Sequence, residues 1–279
     1  MIIRIEDDFD LDRIADSGQC FRWTRQETRS GGCTYRILAG GDCLYITDLG
    51  DQRYELDCTR EQYSRIWQEY LDLREDYRSI RSRIDPGQDP FLWAASEHEK
   101  GIRILRQDPW EMLITFIISQ NRNIPAIRRS VELLSEACGD RRLDSKGLEY
   151  YAFPQPAAVL ELSQEDLSDC RLGYRCRYVH AAAQAVAEGK IDLELLRQAD
   201  EETAMKALTG LLGVGIKVAS CVSLFGLHHM DSFPVDVWMK RILAEQYPGG
   251  YPREQYSPYN GVCQQYMFAY YRHFHAGEK

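Results

Sequence analysis

The sequence predicts an α+β protein, an N-terminal antiparallel, twisted β-sheet domain followed by a mostly α-helical region. Three observations carry that expectation. Five segments in the first sixty residues, MIIRI, CFRWTRQ, CTYRILAG, DCLYITDL and RYELDC, are rich in aromatic and β-branched residues, with Gly-rich punctuation such as SGG and GGD between several of them. From about residue 60 the apolar spacing turns helical and stays so. A chain of 279 residues with 44% hydrophobic content can furnish two cores, and we place the division at 1–98 and 99–279.

The first helical segment, TREQYSRIWQEYLDL, opens on a capping-box-like Thr59-x-x-Gln62. RSRIDPGQDPF (81–91), with two prolines and a glycine, predicts a loop. DPWEMLITFIISQN (108–121) starts on Asp-Pro and is apolar on every side, which predicts a central buried helix. It ends in a polar cluster, Ser119-Gln120-Asn121-Arg122-Asn123. PAIRRSVELLSEACG predicts a helix stopped at Gly139, and further helices are expected near 156–161, 164–171, 175–188, 191–197 and 200–212. No repeat or low-complexity tract interrupts this order.

Composition narrows the function classes. The N-terminal MIIRIEDDFDLDR is acidic where a signal peptide needs basic residues and then an apolar run, and no stretch approaches the roughly 18 apolar residues of a membrane span. A soluble protein of the cytoplasm or another nucleic-acid compartment is therefore expected, with no membrane partner. Nine scattered cysteines lack C-x-x-C or paired Cys/His spacing, arguing for free thiols and against a zinc or iron–sulfur site. A net charge of -9 lowers the expectation of nucleic-acid binding without excluding it, because helix N-termini and a few arginines can hold phosphates locally.

TAMKALTGLLGVGIKVASCVSLFGL contains two helical patterns flanking a short turn, a helix-hairpin-helix at about 203–227. Gly213 and Gly215 can take positive φ and leave backbone N–H groups open to a phosphate. Lys217 falls in the first turn of the second helix, where the macrodipole and partial burial favour an uncharged, nucleophilic amine. The alternative is a surface lysine that snorkels to water. In SFPVDVWMKRIL, Asp236 is placed to cap the helix that follows; the same carboxylate anion could stabilise positive charge developing beside the amine.

GVGIKVASC followed by PVDV resembles the helix-hairpin-helix, Gly-Pro-Asp DNA glycosylase superfamily, in its lyase-competent branch with lysine at the hairpin. SGQCFRW (17–23), GIRILRQDPWEMLITFIISQNRNI (101–124) and LGYRCRYV (172–179) are similar, in the same order, to the eukaryotic-type 8-oxoguanine DNA glycosylases. The resemblance implies a bifunctional glycosylase and lyase acting on 8-oxoguanine in double-stranded DNA. Lys217 would attack C1′ to give a Schiff base that undergoes β-elimination, and Asp236 would stabilise the oxocarbenium-like transition state. The target base would be flipped out of the duplex. Asn121 would fill the vacated space and contact the orphaned cytosine, Tyr174 would wedge into the stack, and Arg175 would also read that cytosine.

For the base itself, the resemblance implies that the Gly18 carbonyl meets the N7 hydrogen that 8-oxoguanine has and guanine lacks. Cys221 and Phe268 would cover the two faces, and Gln264, or its neighbour Gln265, would meet the Watson–Crick edge. Carbonyls of Thr209, Leu211 and Val214 would hold a monovalent or similar structural cation at the hairpin; no redox cofactor is implied. The chain would act as a monomer on DNA, in the nucleoid of a bacterium or the nucleus of a eukaryote. Two positions depart from the family: Pro125-Ala126 stands where an arginine helps recognise cytosine, which implies relaxed opposite-base discrimination, and Trp238 replaces a phosphate-contacting histidine. A basic surface is expected around Arg122, Arg128, Arg129, Arg175 and Arg177. Two alternatives remain open from sequence: a same-fold glycosylase for another damaged base, and a non-catalytic DNA-binding module using the hairpin as a phosphate clamp.

Overall fold

The computed structural model describes residues 1–27 and 32–275; Ser30 and Gly31 of the SGG punctuation lie outside the described residues. All five expected strands form: β1 (Ile2–Arg4), β2 (Trp23–Gln26), β3 (Thr34–Ala39), β4 (Asp42–Asp48) and β5 (Arg53–Leu56). They pair antiparallel in the order β1-β5-β4-β3-β2. The register sets Trp23 opposite Ile37, Ile37 opposite Leu44, Tyr35 opposite Ile46 and Ile46 opposite Leu56. With a two-residue period, that puts one continuous apolar row on a single face.

The row is covered by the segment Arg60–Tyr70, helical throughout with a π-helical turn at Tyr63–Trp67, and by the short helix Leu11–Asp16. Trp67, Tyr70, Leu71 and Ile14 close a core with Ile37, Leu44, Ile46 and Leu56, each fully or nearly fully buried. Burying each aliphatic side chain contributes about 1.5–3 kcal/mol. The Trp23 indole N–H donates to Tyr70 Oη at 2.9 Å, so the polar edge of this indole is paired inside the core. The capping box forms as expected: Thr59 Oγ1 accepts from Gln62 N at 3.2 Å and Thr59 N donates to Gln62 Oε1 at 2.9 Å.

The second core is helical. Its centre is Pro109–Ile118, whose ten residues are all buried and whose first turn is capped by Asp108 accepting from Glu111 N at 2.8 Å. Around it pack Ile124–Cys138, Cys176–Ala187, Glu201–Thr209, Ile216–Phe225, Val237–Gln246 and Asn260–His275. No helix among the described residues is long and apolar enough to cross a membrane.

Three local expectations are corrected. The loop at 81–91 shrinks, because Arg81 and Ser82 end the helix Tyr77–Ser82 and Asp89-Pro90 open the helix Pro90–His98. Asp89 accepts from Leu92 N at 2.9 Å, and proline fits the first helical position where no donor is needed. The helix expected at 200–212 ends at Thr209, since residues 210–215 form the hairpin turn. A two-stranded hairpin, β6 (Arg141–Leu143) with β7 (Glu149–Tyr151), has no counterpart among the expected elements. It is fixed from a distance by Asp144, which accepts from Arg36 Nε at 2.9 Å and Tyr45 Oη at 2.8 Å on the sheet.

Candidate active site

The two hairpin helices, Glu201–Thr209 and Ile216–Phe225, are joined by a turn in which the glycines have different jobs. Gly213 has φ +80°, and a methyl group there would collide with the Tyr178 ring. Gly215 corrects the expectation of positive φ at both positions: at φ -87° and ψ 175° it is the extended N-cap of the second helix, with open space where a side chain would be. Its role is to leave the helix start uncovered, and the next residue, Ile216, is 75% exposed.

Lys217 follows in the first turn. It is half-buried, with Nζ 5.5 Å from the centroid of the Phe116 ring. One turn on lies the buried Cys221 thiol. Burial raises the Cys221 pKa above its ordinary value despite the nearby lysine, so the sulfur is a neutral thiol. Asp236 caps Val237–Gln246, its Oδ1 accepting from Trp238 N at 3.0 Å and Met239 N at 2.9 Å. The capping expectation therefore holds, and the carboxylate is fixed by two backbone donors.

Lys217 and Asp236 open into one cavity of about 390 Å³, together with Gly18, Phe21, Phe116, Trp238, Phe268 and Arg272. Ser119, Arg122, Asn123, Ile124, Pro125 and Ile127 form its other rim. Gly18 takes φ +82°, and a methyl group at this position would come within 3.3 Å of Phe268 Cε1. Its turn is pinned by Gln19, whose Nε2 donates to Ser17 Oγ and to the Arg103 carbonyl, both at 2.8 Å, while its Oε1 accepts from Leu105 N at 2.8 Å. Sequence reasoning missed Gln19, because two of its partners lie more than eighty residues away.

Two expected pocket residues sit behind this wall in the free protein. Cys221 is buried below Lys217, and Gln264 is 3% exposed with Nε2 donating to the Pro234 carbonyl at 3.2 Å and Oε1 accepting from Gln265 Nε2 at 3.0 Å. Gln265 is equally buried. Trp238 lies between the Arg241 guanidinium, 5.3 Å from its ring, and the Tyr271 ring at 6.1 Å.

The residues expected to enter the duplex stand together outside the cavity lining, on an outer rim that adjoins Arg122 and Asn123. Asn121, at φ +53°, donates from Nδ2 to Tyr174 Oη at 3.1 Å, and Tyr174 is half exposed. Two arginines tie their loops to one another: Arg122 donates to the Arg171 carbonyl, and Arg175 donates to the Gln120 carbonyl. Arg175 is thereby corrected as a member of an exposed basic surface. It is 5% exposed, stacks 4.4 Å from the Tyr174 ring and also donates to the Leu172 carbonyl at 3.2 Å. Arg122 is similarly engaged with Ser130 Oγ at 2.6 Å, Arg177 bonds Tyr178 Oη at 2.9 Å, and Arg129 pairs with Glu136 at 3.8 Å. Arg128 is only partly exposed.

Residues 1–113 match the model of the 8-oxoguanine DNA glycosylase N-terminal domain, and residues 114–250 match the HhH-GPD superfamily of base excision DNA repair proteins. The chain is 36% identical over 233 residues to the N-glycosylase/DNA lyase OGG1 of Arabidopsis thaliana, covering 80% of this chain and 62% of that protein. It is 35% identical to the N-glycosylase/DNA lyase of Saccharomyces cerevisiae over 85% of this chain and 68% of the yeast one. The 8-oxoguanine glycosylase/lyase of Clostridium acetobutylicum, solved with double-stranded DNA containing cytosine opposite 8-oxoG, superposes with a TM-score of 0.88 at 33% identity, covering 98% of each chain. With both halves matched in order and the lysine and aspartate meeting in one cavity, the chain belongs to the 8-oxoguanine DNA glycosylase/DNA lyase family of the HhH-GPD superfamily.

Proposed function

We propose that this protein excises 8-oxoguanine from double-stranded DNA and then cleaves the strand by β-elimination, with Lys217 as nucleophile and Asp236 as electrostatic partner. The observation that carries the reading is the shared cavity: an amine and a capped carboxylate face the same space, walled by Phe268 and Gly18 and large enough for a flipped base. The amine lone pair forms the N–C1′ bond as the glycosidic bond breaks; the electrons of that bond leave with the base, which takes up a proton. Asp236, already oriented by two backbone N–H groups, stabilises the positive charge that develops at C1′ and O4′. The C1′–O4′ bond then breaks as a proton passes from the bound nitrogen to O4′, giving a Schiff base that acidifies C2′; loss of that proton expels the 3′ phosphate.

The hairpin holds the backbone through the open N-terminus of Ile216–Phe225, and Asn121 with Tyr174 enters the gap left by the flipped base. Gly18 supplies a carbonyl to N7–H, Phe268 stacks on the base, Cys221 backs the opposite face, and Gln264 turns from Pro234 to the Watson–Crick edge. Trp238 takes the place of a histidine and offers a stacking face rather than a charge. The Thr209, Leu211 and Val214 carbonyls border the hairpin; Leu211 O already accepts from Val214 N at 3.1 Å, which leaves a lone pair for a hard structural cation. The chemistry needs no redox cofactor, and the protein works as a monomer where the chromosome lies, nucleoid or nucleus.

Borohydride trapping on a duplex containing 8-oxoguanine tests this directly. Wild type forms a covalent adduct and Lys217→Gln forms none. Failure of wild type to trap while it still binds the duplex would refute the reading, leaving a phosphate-clamping module or a glycosylase for another damaged base.

A further inference from the structure

We propose that Arg272 reads the lesion, donating a hydrogen bond to the C8 oxygen of the oxidised guanine; this rests on the reading of the cavity as a base pocket. Arg272 lines that cavity with Lys217 and Asp236. Its guanidinium stands 5.2 Å from the Phe268 ring centroid, and a methyl group on Gly18 would lie 3.4 Å from its Nη1. The guanidinium is thus packed against both the aromatic wall and the backbone of the Gly18 turn. Among the described residues, the bond it makes inside the protein, from Nη1 to the Asp16 carbonyl, is long at 3.5 Å, which leaves most of its five N–H groups for a ligand.

The chemistry of the lesion asks for that pairing. Guanine presents a lone pair at N7 and a C–H at C8; oxidation replaces them with an N7–H donor and, directly beside it, a C8 carbonyl acceptor. A selective pocket therefore needs an acceptor adjacent to a donor. The Gly18 turn provides a backbone carbonyl, and Arg272 brings donors against the same turn, its Nη1 3.4 Å from where a methyl group on Gly18 would lie. Undamaged guanine would leave both protein groups without a partner, the more costly way to lose a hydrogen bond. Burial pulls the guanidinium below its ordinary pKa, with Asp16, Asp236 and Glu99 opposing, so the site holds a partly desolvated cation that is stabilised by an oxygen acceptor.

The test compares single-turnover excision of 8-oxoguanine with that of 8-thioguanine, which keeps the N7 hydrogen but carries a larger, weakly accepting sulfur at C8. In wild type the oxygen base is preferred. Arg272→Leu is expected to slow excision of 8-oxoguanine by about tenfold or more, the size of a hydrogen bond from a charged donor. The same variant should slow 8-thioguanine by no more than about threefold, collapsing the preference, while Arg272→Lys retains part of it. Equal losses on both bases would show that Arg272 merely supports Phe268 and would overturn the proposal. Faster excision by Arg272→Leu would overturn it too, showing that the guanidinium occupies the base slot as a placeholder. If wild type excises no 8-oxoguanine at all, the parent reading falls with it; thermal melting of both variants separates every outcome from misfolding.

Discussion

The catalytic rim of the cavity and the outer rim beside it are built by different physics. On the catalytic rim, Lys217 and Asp236 each sit at the start of a helix, Ile216–Phe225 and Val237–Gln246, and Asp236 is held by backbone N–H groups that any helix terminus leaves available. On the outer rim, Asn121 and Tyr174 stand on irregular loops containing positive φ at Asn121, Arg171 and Gly173. There the order comes from side chains: Arg122 on the Arg171 carbonyl, Arg175 on the Gln120 carbonyl and Asn121 on Tyr174. The proposed chemical groups are anchored by local structure, whereas the groups proposed to wedge into DNA are anchored by contacts between segments about fifty residues apart.

The largest effect expected from this contrast is a separation of fold from catalysis at Asp236. Asparagine caps helices about as well as aspartate, so Asp236→Asn should keep the bonds to Trp238 and Met239 and change stability by well under about 1 kcal/mol. Removing the negative charge should nevertheless slow base excision by about a hundredfold or more, the scale of a preorganised electrostatic contact at a developing charge. Urea unfolding and single-turnover excision on the same preparation decide it. Activity within a few-fold of wild type would reduce Asp236 to a cap.

A smaller effect separates the rims by pH. The loop after the catalytic hairpin helix is tied to the N-terminal domain through His228, whose Nε2 lies 3.3 Å from Asp72 Oδ2. Burial of Asp72 opposes its ionisation, but His228, the Tyr77 hydroxyl at 2.7 Å and Arg106 at 2.7 Å outweigh it and hold the carboxyl down at about 2. Because the folded value lies below the unfolded one, the contribution is present above about pH 4 and is lost as pH falls toward 2. Wild type should lose about 2 kcal/mol relative to Asp72→Asn between about pH 5 and pH 2. The arginine-to-carbonyl ties of the outer rim do not titrate there. Parallel stability curves for the two proteins would remove Asp72 from the account.

The same contrast between local and remote anchoring sets what the amino-acid sequence reveals. Strands β1 to β5, the Asp108 and Asp236 caps, the Thr59 capping box and the Gly-Val-Gly turn carry local signatures, so their positions follow from neighbouring residues alone. The role of Gln19 in fixing the Gly18 turn does not, because its hydrogen-bond partners Arg103 and Leu105 are remote along the chain. The β6–β7 hairpin depends in the same way on Asp144 reaching Arg36 and Tyr45. Arg175 combines the two: its position follows from the LGYR motif, while its burial follows from packing against Gln120 and Tyr174.

The smallest effect concerns the base opposite the lesion, where the outer rim acts alone. A bidentate arginine contact to a base edge gives about 1–3 kcal/mol of discrimination. Ala126 stands where the family resemblance implies an arginine, and Arg122 and Arg175 on this rim donate to carbonyls and, for Arg122, to Ser130 in the free protein. Freeing Arg175 for a base would give up its bond to the half-buried Gln120 carbonyl, while the Leu172 carbonyl would keep the Arg175 backbone N–H at 3.2 Å; the loss at Gln120 offsets part of what the base would contribute. Asn121 is then left as the group that meets the orphaned base, and a single amide can pair with several base edges. Excision of 8-oxoguanine opposite C, A, G and T should therefore differ by less than about tenfold, which corresponds to about 1.4 kcal/mol. A cytosine preference of a hundredfold would mean that Arg122 or Arg175 leaves its carbonyl on DNA binding, and that the outer rim rearranges where the catalytic rim does not.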